Sequence, residues 1–135
     1  MPVVDTEVIF ALNPRDHKHQ EALRLLEGGK GLVVPDTAVF EFQAVLRARG
    51  KSPSEVKMAL LAVNEALTRH GVREVKTMSS SLLAIQCELE EAYGLSYFDS
   101  LLAASALAVD RHIVSDDEAF DKVPQLNRIP LLPTE

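Results

Sequence analysis

Short, mainly apolar runs alternate along this chain with longer stretches patterned for helix, and that alternation restricts its fold most. Val3–Val4, Leu32–Val33–Val34, Val72–Val75, His112–Val114 and Arg128–Leu131 are the strand candidates. A strand covered on both faces reads as a continuous apolar run, because neither face meets water. The alternation therefore predicts an α/β fold: a parallel sheet with helices on both faces. Open sheets of this kind bind ligands beyond the carboxyl ends of their strands. The residues just after Val4 and just after Val114 thus carry the most weight.

The helical stretches have recognisable ends. A short helix spans Thr6 to Leu12 and stops at Asn13–Pro14. Asp16 caps a second that runs through Glu27, with Ala22, Leu25 and Leu26 on one face and Gly28–Gly29 behind it. Pro35 and Asp36 open a third, which reaches Gly50. Ser52-Pro53-Ser54-Glu55 is a capping box with proline at the first helical position, and Val56, Ala59, Leu60, Val63 and Leu67 make the stripe behind it, up to Gly71. Ser80 to Tyr93 reads as a helix with Leu82, Ile85 and Leu89 inward, Ser79–Ser81 as its N-cap region and Gly94 at its end. Ser96 starts the next, ending near Asp110; Asp116 to Lys122 is a short one, and Leu132–Glu135 is a tail.

A length of 135 residues suits a single domain with a real core. Fourteen basic against 20 acidic residues give a net charge of -6, which disfavours gripping nucleic acid by overall field. A local basic strip or bound cations could still serve a phosphate substrate. The single cysteine, Cys87, excludes an internal disulfide and a multi-cysteine zinc site, and fits a reducing cytoplasm. It lies among apolar neighbours and reads as a small core residue. The longest uncharged run, Thr77 to Cys87, falls well short of the roughly 18 residues of a membrane span. Met1 to Phe10 has no basic segment followed by an apolar core, so no secretory signal is expected.

Most acidic residues sit on polar helix faces, such as Glu88, Glu90 and Glu91. Four do not. Asp5 follows Val3–Val4 and precedes Val8–Ile9–Phe10. Glu41 sits between Phe40 and Phe42, and Asp99 is the only charge between Ser96 and Val109. Asp117 lies just beyond His112–Val114. Burying such a carboxylate without a partner costs several kcal/mol. No basic residue lies within Val3–Phe10, Val33–Leu46 or Leu95–Val109. Either basic groups arrive from elsewhere, or the acids converge and share cations. Two carboxylates about 4 Å apart repel by roughly 4 kcal/mol at an effective dielectric near 20. Hard divalent ions, Mg²⁺ or Mn²⁺, are the natural counterions for oxygen ligands.

At these four positions the chain resembles the PIN-domain ribonucleases, especially VapC-type toxins of toxin–antitoxin pairs. VVDTEVIFAL is similar to the family's opening strand and Asp-Thr turn (Asp5, Thr6), and PDTAVFEFQAVLRARG to the helix bearing the second acid (Glu41). GLSYFDSLLAASAL is similar to the aromatic-Asp start of an alanine-rich helix (Asp99), and IVSDDEAFDKVPQL to the Ser/Thr-x-Asp-x-x-Phe turn (Ser115, Asp117, Phe120). The four segments span nearly the whole chain in register. The resemblance implies a three-layer, Rossmann-like sandwich with a central parallel sheet of about five strands. It also implies metal-dependent cleavage of RNA, a homodimer and a small VapB-type antitoxin.

On that reading Asp5 and Asp99 are direct ligands of Mg²⁺ (or Mn²⁺), and Asp117 ligates directly or through water. Glu41 ligates or orients the attacking water, and the Thr6 and Ser115 hydroxyls hold metal-bound waters or phosphate. The reaction would be in-line attack of water on phosphorus, leaving a 5′-phosphate. Arg47, Arg49 and Lys51 form a basic cluster able to hold the RNA backbone, and Arg15 with Lys18 a second strip. Glu7 departs from the family pattern and either joins the metal site or caps the helix. Asp116 is either a peripheral or second-layer group, or it favours a helix start through the macrodipole.

Other chemistry lacks support. Neither G-x-G-x-x-G nor G-x-x-x-x-G-K-[ST] occurs, and Arg128-Ile129-Pro130-Leu131 lacks the lysine a phosphoacceptor domain would want. His17-x-His19 reads as an exposed helix start rather than a metal site. Three alternatives to a toxin nuclease stay open: an inactive PIN-like binding module, a housekeeping RNA-processing PIN nuclease without an antitoxin, and an ion-pair scaffold with no metal.

Overall fold

The computed structural model describes residues 1–28 and 31–131. Five strands, β1 (Val3–Val4), β2 (Val33–Pro35), β3 (Arg73–Val75), β4 (His112–Val114) and β5 (Asn127–Ile129), form one sheet in the order β3-β2-β1-β4-β5. Every pairing is parallel, with Val3 opposite both Val33 and Ile113. The helices α1 (Thr6–Phe10), α2 (His19–Gly28), α3 (Asp36–Ala48), α4 (Pro53–Arg69), α5 (Ser80–Tyr93) and α6 (Tyr97–Val109) flank it in a three-layer α/β sandwich. A 3-10 helix, Glu118–Lys122, links β4 to β5.

The sheet centre is the driest part of the chain. Val3, Val4, Val33, Val34, Ile113 and Val114 are buried, and α6 is buried from Ser100 through Ala106. That explains the apolar surroundings of Asp99 in sequence: α6 packs against β1, β2 and β4 and has almost no wet face. Strand order reverses beside β1, whose neighbours lead away to β2 on one side and β4 on the other. At such a reversal the two following loops part and leave a crevice. Asp5 and Ser115 are the first residues beyond β1 and β4.

Local chemistry fixes the element ends. The Ser52–Glu55 capping box forms in both directions, at 3.2 Å and 3.0 Å. Ser79 Oγ accepts from Leu82 N, and Gly94 closes α5 in the left-handed region, φ 66°. A polar knot joins α3, α6 and the β3–α5 loop. The Asp36 carboxylate accepts from Thr37 N, Thr77 N, Thr77 Oγ1 and Met78 N, and Thr77 Oγ1 lies 2.8 Å from Ser105 Oγ. Burial works to raise the Asp36 pKa, but the bonds from Thr77, Met78 and Thr37 outweigh it and lower it.

Several expected boundaries move. β5 is Asn127–Ile129 rather than Arg128–Leu131, because Pro130 has no N–H for the ladder and Leu131 N donates to Asp116 Oδ1 instead. α1 ends at Phe10, not Leu12. Asp16 does not cap α2; its carboxylate takes Lys18 N in a preceding turn, and the helix begins at His19. The helix expected over Asp116–Lys122 is the shorter 3-10 turn, capped by Asp117.

On α5 the inward face is Leu82, Gln86 and Leu89, while Ile85 is 39% exposed. Gln86 takes the inner slot because its Nε2 donates to Tyr97 O at 2.9 Å. Cys87 is exposed rather than a core residue. The tail Leu132–Glu135 and Gly29 lie outside the described residues. No single helix among them is long and apolar enough to cross a membrane.

Candidate functional site

The crevice beside β1 is lined with carboxylates. Asp5 Oδ1 accepts from Thr6 N and Oδ2 lies on Ser115 Oγ, both at 2.6 Å. Asp5 N donates to Val114 O at 3.0 Å, so ladder bonding extends past the strand and locks the two loops side by side. Thr6 Oγ1 donates to Glu41 Oε1 at 2.5 Å, which ties α1 to the middle of α3. Asp117 caps the 3-10 helix through Ala119 N at 2.9 Å, and its own N–H donates to Ser115 Oγ at 2.9 Å. Asp99 stands in the first turn of α6, behind the Ser96 cap.

Electrostatics links these acids into one group. Burial, then Glu7 and Glu41, push the Asp5 pKa up to about 7 against the hydrogen bonds from Ser115 and Thr6. Glu41 is raised by partial burial and by the charges of Asp99 and Asp117, against the Thr6 hydroxyl. Asp99 is raised by burial and by Asp117, against Ser96 and the more distant Lys122. Among the described residues, none of Asp5, Glu41, Asp99 and Asp117 forms a salt bridge with Lys, Arg or His. The ion-pair scaffold therefore has no partner for these four acids.

Ser115 shows the charge excess at atomic scale. Its oxygen lies 2.6 Å from Asp5 Oδ2 and 3.1 Å from Glu7 Oε2, and accepts from Asp117 N. One hydroxyl proton cannot satisfy both carboxylates. Ser115 donates to Asp5 or to Glu7 but not to both at once, so one carboxylate there is left short of a donor.

The donor chemistry suits a hard divalent cation: only carboxylate and hydroxyl oxygens, with negative charge left uncompensated. The geometry is open. Among the described residues, no three His, Cys, Asp or Glu side chains are drawn close enough to hold a metal ion by themselves. Mg²⁺ keeps several waters and needs only one or two carboxylates directly, so an open set of this chemistry fits it.

The other candidate residues sort differently. Glu7 neither caps α1 nor stands alone; Oε1 takes Lys18 Nζ at 2.9 Å and Oε2 takes Asp116 N and Ser115 Oγ. Asp116 is half-buried, with Oδ1 on Leu131 N and Oδ2 on Lys18 Nζ. Lys18 is thus committed to two carboxylates and is not half of a basic strip with Arg15. Nothing local in the sequence announces this, because the three residues meet only where the β1 and β4 edges adjoin.

Arg47, Arg49 and Lys51 are exposed at and beyond the end of α3, roughly two turns from Glu41. Arg49 lies over the Phe10 ring, 5.1 Å from its centroid, and lines an apolar groove of about 590 Å³ between α1, α3 and α4. His17 and His19 do not share a ligand: His17 lies by Asp16, and His19 Nδ1 by Ala11 O. Sequence reading missed an aromatic edge beside the acids. Phe40 and Tyr97 are exposed, and both approach Phe98, with centroids at 6.0 Å and 5.0 Å.

A parallel sheet in this order, with acids gathered at the reversal, defines a Rossmann-like α/β protein. The PIN domain family model matches residues 3–126, and the chain belongs to that family. Solved structures with the same fold include VapBC2 from Rickettsia felis bound to a DNA fragment from its promoter (TM-score 0.67, 20% identity, covering 95% of this chain and 96% of that one). VapC20 from Mycobacterium tuberculosis, described as a Sarcin-Ricin loop cleaving toxin, gives 0.69 and 19%, covering 90% and 93%. FitAcB from Neisseria gonorrhoeae gives 0.70 and 15%, covering 97% and 98%. No curated protein matches the chain.

Proposed function

We propose that this protein is a Mg²⁺- or Mn²⁺-dependent endoribonuclease, the toxin of a toxin–antitoxin pair. The observation that carries the reading is a set of four carboxylates at the strand-order reversal, with no cationic side chain paired to any of them among the described residues; burial first, and neighbouring acids after it, raise the pKa values of Asp5, Glu41 and Asp99. A cluster that holds its own charge so badly is built to receive a cation. PIN membership and the fold shared with VapC20, described as a Sarcin-Ricin loop cleaving toxin, support the nuclease and toxin parts.

Asp5 and Asp99 would hold the ion, with Asp117 reaching it directly or through water. The chemistry such an ion would supply there is Lewis acidity, toward a water and toward the charge developing on the phosphate. Glu41 is held by Thr6 through Oε1, which leaves Oε2 to orient the attacking water and accept its proton. Ser115 keeps Asp5 aimed into the crevice. Arg47, Arg49 and Lys51 would bind the RNA backbone, and Phe40, Tyr97 and Phe98 offer an unpaired base a surface to stack on. Thr6, through Glu41, and Asp116, through Lys18, act as positioning residues.

As partners we propose a second copy of this chain and a small VapB-type antitoxin; one solved structure of the same fold, from Klebsiella pneumoniae, is described as a toxin–antitoxin complex. We take the protein to act as a single domain in the cytoplasm. The test is incubation with a panel of structured RNAs, with Mg²⁺ and with EDTA. Cleavage with Mg²⁺ that leaves 5′-phosphate ends, abolished by EDTA and by Asp5→Asn or Asp99→Asn, is expected. Undiminished cleavage by both variants removes the assignment. Folded wild type that cleaves nothing while binding RNA favours the inactive binding module.

A further inference from the structure

We propose that the Lys18 ammonium is a built-in cation standing where a second divalent ion would otherwise bind, so that the site takes one divalent ion per chain. The inference rests on the metal-dependent reading above and deepens it.

Lys18 Nζ lies 2.9 Å from Glu7 Oε1 and 2.9 Å from Asp116 Oδ2. All three side chains are largely shielded, at 18%, 24% and 18% exposure, so the contact is not a loose surface pair. The remaining carboxylate oxygens are also fixed. Glu7 Oε2 takes Asp116 N and Ser115 Oγ, and Asp116 Oδ1 takes Leu131 N. Two hard-oxygen donors thus converge on one positive charge. This is the arrangement that a partly hydrated divalent ion would adopt with the same two carboxylates.

The position adjoins the candidate metal site. Ser115 Oγ touches both Glu7 Oε2 and Asp5 Oδ2, so three hydrogen bonds link Lys18 to Asp5 by way of Glu7 and Ser115. Without Lys18, Glu7 and Asp116 would bring two more negative charges to the edge of the acid cluster, with Arg128 acting on Asp116 from a distance. With it, one of those two charges is balanced, and the ammonium fills the position between the two carboxylates that a divalent ion would need. A cleft of about 240 Å³, lined by Glu7, Phe10, Asp16, His17, Lys18 and Arg49, opens the position to solvent, so an ion could enter if the ammonium were gone.

The test counts metal. Wild type, Lys18→Met and Lys18→Arg are each saturated with Mn²⁺, and bound metal is measured by equilibrium dialysis and isothermal titration, with circular dichroism confirming the fold. Wild type and Lys18→Arg should bind one Mn²⁺ per chain. Lys18→Met, similar in length but uncharged, should bind two, the second more weakly and lost on adding Glu7→Gln. A wild-type count of two refutes the inference without any variant, and so does a folded Lys18→Met that still binds one. A wild type that binds no Mn²⁺ refutes the metal-dependent reading, and the inference falls with it.

Discussion

Replacing Asp5 by Asn removes the most heavily penalised charge in the protein, and its effect on stability can be worked out. Asp5 is buried, and its pKa stands near 7 against an ordinary 3.8. The folded state therefore holds this proton more tightly than the unfolded chain does, and stability is lost as pH rises between the two values. The full shift of about three units corresponds to roughly 4 kcal/mol of destabilisation above pH 8, of which about 2.5 kcal/mol develops between pH 5 and pH 8. Asn keeps the shape. Its oxygen can accept from Thr6 N, and its amide can donate to Ser115 Oγ, which then donates to Glu7. Urea unfolding in EDTA at pH 5 and pH 8 measures the difference. Asp5→Asn should gain on wild type by about 2.5 kcal/mol between these pH values. Saturating Mn²⁺ should narrow the gap at pH 8 by stabilising wild type. A gap that is flat with pH, or that favours wild type at pH 8 without metal, would refute the charge-frustrated cluster.

Five further outcomes are expected. Ser115→Ala removes the hydrogen bond that lowers the Asp5 pKa, so NMR titration of the metal-free protein should show the Asp5 carboxyl moving further up. Asp36→Ala strips Thr77, Met78 and Thr37 of a charged acceptor and should cost about 2–3 kcal/mol in urea unfolding. Ser52→Ala breaks the capping box and should cost about 1 kcal/mol without changing RNA cleavage. Tyr97→Ala should raise KM for RNA more than it lowers kcat, and Arg47→Gln combined with Lys51→Gln should weaken RNA binding and flatten its salt dependence.

The sheet was legible because its strands are dry on both faces, and Val3–Val4, Val33–Val34 and Ile113–Val114 have no polar position to confuse the pattern. The acids stood out for the same reason. Asp99 is the one charge on α6, a helix buried along most of its length, and Asp5 follows directly on the central strand. What stayed hidden depends on long-range pairing. Gln86 looks like a surface residue until the Tyr97 carbonyl is placed against it, and that bond turns Ile85 and Cys87 outward. Lys18 looks like a free surface cation until Glu7 and Asp116 are brought to it from α1 and the β4 edge. Asp16 has a good cap composition, yet its carboxylate is satisfied one turn early. Hydrophobic period reports burial well, and it says nothing of which polar groups will find each other.

The most direct test of the account is titration of the folded, metal-free protein with Mn²⁺, set beside Asp99→Asn. Four acids that share one cation require saturable heat of binding in wild type, together with proton release near pH 7 as Asp5 gives up its proton, and a large loss of affinity in the variant. Folded wild type that takes up no Mn²⁺, or that binds it equally well without the Asp99 carboxylate, would contradict it.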